Sequence, residues 1–256
     1  MSHAIDLNCD MGESFGAWRM GADREVMPWV SSVNVACGFH AGDPVTMLET
    51  LTAAAEAGVA VGAHVGLPDL AGFGRRAMAV TAHELYAMTV TQLGALAAAA
   101  RARGLTPRHV KPHGALYHML EADPALARAL AQAVHDVDVT LHVVGFAGGT
   151  LCRVAADAGL AVAHEGFTDR HYGSDGKLRP RGTSGAVIDT LDDAVAQARE
   201  LAIHGRVWSS DGTALAVHAD TLCVHGDRPD AAVFAKALHA GLREAGVDIR
   251  APSPPR

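Results

Sequence analysis

The sequence predicts an α/β fold, built as a closed or nearly closed TIM-like barrel of seven βα units, on three observations. An Ala-rich helical stretch four times ends in Gly and runs directly into an apolar strand, at Ala57-Gly58-Val59, Arg103-Gly104-Leu105, Ala158-Gly159-Leu160 and Ala245-Gly246-Val247. Gly just past a helix takes the left-handed conformation that other residues adopt only at a cost, so each junction marks a helix-to-strand turn. Seven short apolar runs alternate with amphipathic stretches, which is the pattern of a parallel sheet covered by helices. A length of 256 residues with no break in composition suits one barrel domain over 1–256. An open doubly wound sheet is the alternative.

In chain order, strands are expected near Ala4–Cys9, Ser32–Cys37, Val59–His64, His109–Lys111, Thr140–Val144, Ala161–Glu165 and Thr221–His225. Helices are expected near 44–57, 81–103, 124–136, 149–158, 190–204 and 230–245. Asp43-Pro44 and Asp123-Pro124 each pair a capping acid with a first-turn proline, and Thr81 with Glu84 makes a capping box. Only Pro252–Arg256 reads as a frayed tail.

Composition narrows the function. With 49% hydrophobic and 19% charged residues and a mean hydropathy of +0.13, the chain is too apolar for disorder, and its apolar runs are too short to span a bilayer. A net charge of −7 argues against a nucleic-acid partner, which would need a basic face to neutralise phosphates. The amino terminus lacks a basic start followed by an apolar run, so a cytoplasmic protein is expected. Cys9, Cys37, Cys152 and Cys223 are widely spaced, and reduced thiols are the default.

Polar residues collect where each strand stops. Alternation puts Asp6, Asn8 and Asp10 on one face of the first strand, pointing into a barrel. The second strand carries Asn34 and leads into Cys37-Gly38-Phe39-His40. The third ends at His64, the fourth at Lys111-Pro112-His113, the sixth at Glu165 with Asp169 and Arg170 beyond it, and the last at His225. In parallel βα folds the carboxyl ends of the strands carry the active site, so one shared pocket is expected. Capping explains a single residue such as Asp43. It does not explain several His and a Lys at buried strand ends, which are costly unless paired or functional. Lys111 in particular has little structural reason to be there.

The segments Ile5-Asp6-Leu7-Asn8-Cys9-Asp10-Met11-Gly12-Glu13-Ser14-Phe15-Gly16, Ala36-Cys37-Gly38-Phe39-His40-Ala41-Gly42-Asp43-Pro44, Gly72-Phe73-Gly74-Arg75-Arg76, Val110-Lys111-Pro112-His113-Gly114-Ala115-Leu116-Tyr117 and Cys223-Val224-His225-Gly226-Asp227 resemble the LamB/YcsF family over nearly the whole chain. Val65 departs from the Pro usual in that family after the His of its Gly-Ala-His segment. The resemblance implies a seven-stranded barrel similar to the glycoside hydrolase/deacetylase superfamily. It also implies one subunit of an enzyme that opens 5-oxoproline to glutamate with cleavage of ATP, working with two partner subunits. A stand-alone metal-dependent hydrolase similar to deacetylases, or a non-catalytic small-molecule binding protein, are the alternatives.

Roles follow by residue type. Water attack on a lactam needs a base, for which Asp10, Glu13 or His113 qualify, and a cation, for which Lys111, Arg75, Arg76 and Arg170 qualify. Asn8, Asn34, His40, Arg75, Glu165, Arg170 and His225 are expected to contact substrate. Deacetylases of similar fold use one Asp and two His for a divalent metal, and Asp10, His64 and His113 fall at similar places; the other reading makes these His acid, base or hydrogen-bond donors. No P-loop occurs. The turn Gly145–Thr150 offers backbone N–H groups to an anion or is a plain tight turn. Thr168–Thr183, with Arg170, Lys177, Arg179 and Arg181, reads as a cationic lid. Cys37 reads as core filling rather than as a nucleophile.

Overall fold

The four helix-ending glycines all take positive φ, +68° at Gly58, +71° at Gly104, +81° at Gly159 and +78° at Gly246, and each returns the chain to a barrel strand or to the short terminal strand. The structure is a computed structural model and describes residues 3–180, 183–226 and 230–253. Its strands are β1 (Ala4–Met11), β2 (Ser32–Ala36), β3 (Ala60–Val65), β4 (His109–Pro112), β5 (His142–Phe146), β6 (Val162–Phe167), β7 (Arg206–Trp208), β8 (Ala214–Ala216), β9 (Thr221–Val224) and β10 (Asp248–Ile249). The helices are α1 (Asp23–Val26), α2 (Pro44–Ala57), α3 (Ala82–Arg101), α4 (Gly114–Ala122), α5 (Pro124–Val137), α6 (Thr150–Asp157), α7 (Leu191–Arg199) and α8 (Ala231–Glu244).

Seven strands close the barrel in the order β1-β2-β3-β4-β5-β6-β9, all parallel, because β9 pairs with both β6 and β1. The doubly wound alternative is thereby excluded. The expected caps form: Asp43 accepts from the amides of Val45 and Thr46, Asp123 from Ala125, and Thr81 with Glu84 makes the capping box. Helix α4 and the β7–β8 hairpin are elements that the sequence patterns do not predict. Helix α4 begins just after His113 with no side-chain cap and runs into Asp123 rather than a Gly, so it lacks both the Asp-Pro start of α2 and α5 and the Gly end of the helix-to-strand junctions. The hairpin has only three residues per strand.

Two kinds of interior result. Leu7, Cys9 and Met11 from β1 join Leu51, Leu85, Leu130 and Phe234 from the helices in the apolar core. The alternate residues Asp6, Asn8 and Asp10 enter a polar ladder inside the barrel. Asp6 accepts from Ser31, Ser32 and Thr221, while Asn8 donates to Thr221 and Glu165. Gly62 makes room for this ladder, since a Cβ there would lie 2.2 Å from the His109 ring. All four cysteines are free and buried. Among the described residues no helix is long and apolar enough to cross a membrane.

Candidate active site

Lys111 stands at the centre of the barrel mouth. Its Nζ lies 2.7 Å from Glu165 Oε1, 3.0 Å from Asp10 Oδ1, 3.0 Å from Asn8 Oδ1 and 3.3 Å from Cys223 Sγ. Burial disfavours the ammonium, but the flanking Asp10 and Glu165 carboxylates outweigh it and hold the pKa well above the usual lysine value. Burial likewise opposes the Asp10 carboxylate, and His64 and Lys111 outweigh it to keep Asp10 ionised. The expectation that Lys111 lacks a structural role is corrected here: it is the counter-ion of the buried Glu165 carboxylate and the half-buried Asp10 carboxylate. An unpaired charge at this depth would cost several kcal/mol.

Beside it lies a histidine cluster. His64 Nδ1 is 3.0 Å from the carbonyl oxygen of Lys111, and His113 Nε2 is 2.8 Å from that of Phe73. Their remaining nitrogens, His64 Nε2 and His113 Nδ1, approach to 2.9 Å, and Asp10 Oδ2 is 3.3 Å from His64 Nε2. His40 stacks on His113 with centroids 3.9 Å apart, and neither of its ring nitrogens has a hydrogen-bond partner among the described residues. Glu13 Oε1 lies 3.8 Å from His113 Nδ1 and 3.9 Å from His40 Nε2. One potential ligand atom from each of Glu13, His40, His64 and His113 falls within a 4.8 Å group. Burial lowers His40 well below its ordinary value and His113 to about 3, so both rings are neutral.

A cavity of about 470 Å³ opens above these groups, within the roughly 300–1,000 Å³ range of small-molecule sites. Asp10, His64, Lys111, His113, Glu165 and His225 all line it, with Arg75 and Arg170 at its wall. Asn8, Glu13, Asn34 and His40 do not line it. Asn34 donates to Asn8 and Asp10 and lies 2.7 Å from His109 Nε2, so the two asparagines form the layer that fixes Asp10 and Lys111 from beneath. Arg75 packs its guanidinium 5.0 Å from the Phe73 ring centre, whereas its neighbour Arg76 is tied to Asp69. Arg170 directs hydrogen bonds to the carbonyls of Ala186 and Arg179, which pins the segment after β6 over the cavity. His225 Nδ1 faces both carboxylate oxygens of Asp169, at 2.9 and 2.8 Å.

Several sequence expectations are refined. Glu121 occupies the amides of Thr150 and Leu151, so the Gly145–Thr150 turn does not offer them to an anion. The Cys37 thiol is buried and pushed up to about 12, which suits packing. Arg181 and Asp227 lie outside the described residues. Sequence reasoning gave no role to Asp169 or Tyr117. The phenol of Tyr117 lines the cavity, and burial together with Glu165 raises its pKa well above the usual value. In the sequence nothing links Asp169 to His225, and Tyr117 belongs to the uncapped helix α4.

The profile of the LamB/YcsF family matches residues 5–255. A Bordetella pertussis protein named as the 5-oxoprolinase A-subunit is 54% identical over 251 residues, which is 98% of this chain and 100% of that protein. The crystal structure of a lactam utilization protein from Thermus thermophilus is 46% identical and superposes with a TM-score of 0.94, covering 97% of this chain and 100% of that one. The catalytic domain of a peptidoglycan N-acetylglucosamine deacetylase from Eubacterium rectale shares the fold alone, with a TM-score of 0.51 at 12% identity over 99% of this chain and 90% of that one.

Proposed function

The chain belongs to the LamB/YcsF family, and from that membership we propose that it is the A-subunit of an ATP-dependent 5-oxoprolinase, opening the lactam of 5-oxo-L-proline to L-glutamate together with two partner subunits in the cytoplasm. The observation that carries the reading is the 54% identity, along all of its length, of a relative that bears this name. The cavity chemistry supports it. A five-membered lactam is a stable amide, and transfer of a phosphoryl group from ATP to its oxygen turns the carbon into an electrophile that water attacks. Water then needs a base and the developing negative oxygen needs a cation. Asp10, held ionised, and His113 line the cavity as candidate bases, with Glu13 behind them. Lys111 supplies the cation, and Arg75 and Arg170 at the wall receive the substrate carboxylate or a phosphoryl oxygen. Asn8, Asn34 and Glu165 keep Lys111 and Asp10 in register, and His40 backs His113.

A divalent metal fits the histidine cluster. Neutral imidazoles and a carboxylate are ligands for Zn²⁺, Mn²⁺ or Fe²⁺, and His40 offers buried ring nitrogens with no hydrogen-bond partner among the described residues. His40, His64, His113 and Glu13 would hold it, with Asp10 adjoining in place of the simple Asp10, His64 and His113 set. When bound, it supplies Lewis acidity toward an oxygen atom.

The purified chain, mixed with its two partner subunits, 5-oxoproline and ATP, is expected to release glutamate, and to release little when partners or ATP are omitted. Rapid ATP-independent release by the chain alone would overturn the coupled reading and favour a stand-alone metallohydrolase.

A further inference from the structure

His225 and Asp169 form a pair that the steps above leave unused. The Asp169 carboxylate only accepts, so His225 Nδ1 carries a hydrogen toward it, at 2.8 Å from the nearer oxygen. Nε2 is therefore the atom free to gain or release a proton, and no described residue engages it. The side chain is 11% exposed and lines the cavity, with Phe167 stacked on the ring at 6.2 Å. A carboxylate behind an imidazole orients the ring and stabilises its protonated form.

Position gives the pair its meaning. His225 follows β9, whereas His64 lies near the end of β3 and His113 follows β4. Round the closed barrel β9 is three strands from β3 in one direction and three from β4 in the other. The pair therefore faces His64 and His113 from the opposite side of one cavity, while Asp10, on the neighbouring strand β1, reaches across toward His64. Lactam opening requires such a division, because water arrives at the carbonyl carbon while the ring nitrogen departs elsewhere. An amine nitrogen does not leave as an anion; it must receive a proton as it goes.

We propose that His225 is the general acid that protonates the departing ring nitrogen, and that Asp169 is its positioning residue. The tetrahedral carbon carries the phosphorylated oxygen, the hydroxyl brought by water and the ring nitrogen; on collapse the hydroxyl gives its proton to the base and becomes the C=O oxygen as the C–N bond breaks, and the acyl phosphate that is left is then hydrolysed to the carboxylate and phosphate. The electron pair of that bond stays on nitrogen, which takes the proton from His225 Nε2; solvent water then reprotonates the ring. This inference rests on the 5-oxoprolinase reading.

The test compares 5-oxoproline with its ring-oxygen analogue, the corresponding lactone carboxylate, in the complete complex with ATP. An alkoxide leaves far more readily than an amide anion, so the lactone needs the acid less. His225→Gln is expected to lower kcat/KM on the lactam by about 10²–10⁴-fold and on the lactone by less than about tenfold. Asp169→Asn is expected to lower kcat with KM unchanged and with the same bias toward the lactam, and it carries the comparison if His225→Gln fails to fold. Equal losses on both substrates, or full activity of both variants, would overturn the acid role. A wild-type complex that releases no glutamate from 5-oxoproline would overturn the underlying reading, and this inference with it.

Discussion

His64 Nε2 lies 2.9 Å from His113 Nδ1 while each ring turns its other nitrogen to a backbone carbonyl. A carbonyl oxygen accepts only, so each ring carries a hydrogen on its far nitrogen, and with no second proton on either ring two lone pairs face each other. Such a contact is repulsive unless a positive species lies against both atoms. A proton on one ring would serve, and so would a metal ion. His64 Nε2 and His113 Nδ1 would be the facing donor atoms for such an ion, with Glu13 and His40 beside them.

The metal alternative predicts one divalent ion per chain after dialysis against a trace of Zn²⁺ or Mn²⁺, read by elemental analysis. Free ion at 100 times its Kd is expected to raise stability by about 2.7 kcal/mol. His64→Ala and His113→Ala should lose both the ion and the thermal shift. Metal-free protein with no shift would leave the shared proton as the explanation.

Lys111→Met should be strongly destabilising, because it leaves the buried Glu165 and the half-buried Asp10 without their counter-ion. The expected loss is about 3–5 kcal/mol in urea unfolding. Adding Glu165→Gln should restore part of it, since one uncompensated charge is then gone. A single variant within about 1 kcal/mol of wild type would contradict the ion-pair account.

Burial first, and Lys111 second, lower His109 to about 3. The unfolded chain takes up this proton near pH 6.5 and the folded one does not, so stability falls as pH drops from about 6.5 toward 3, by up to about 1.4 kcal/mol per pH unit. His109→Gln keeps an N–H for Asn34 and removes the titration. Its stability loss between pH 7 and pH 5 should be smaller than that of wild type by about 2 kcal/mol. Identical pH slopes would mean that His109 is not neutral in the folded protein.

Gly74 has φ +63°, and a Cβ there would stand 2.7 Å from His40 Cβ and 2.8 Å from His113 Cδ2. Gly74→Ala should cost more than the roughly 1–2 kcal/mol of the left-handed conformation alone, and should weaken metal binding by displacing both rings. Gly104→Ala is the control, with φ +71° and nothing within 4 Å. It should show the conformational cost and unchanged metal affinity.

The barrel was legible because its signals are local. Gly at each helix end, Asp-Pro at helix starts and alternation in Asp6, Asn8 and Asp10 are all written within a few residues. Helix α4 was not legible because it begins directly at a strand end without a capping side chain and ends at Asp123 without a Gly, and the β7–β8 hairpin because its strands are too short to show alternation.

The candidate site divides along the same line. By itself the sequence determined that Asp10, His64, Lys111, His113, Glu165 and His225 stand at strand ends, and parallel βα order then sends them to one mouth. Only the tertiary structure decided which of them touch. Asp169 meets His225, and Lys111 meets Glu165, across sequence separations of 56 and 54 residues (225 − 169 and 165 − 111). It also turned Asn8 and Asn34 into a supporting layer, gave the Thr150 and Leu151 amides to Glu121, and set His64 against His113. Strand-end position follows from local periodicity, whereas partner choice depends on barrel closure and register, which couple residues that no local pattern links.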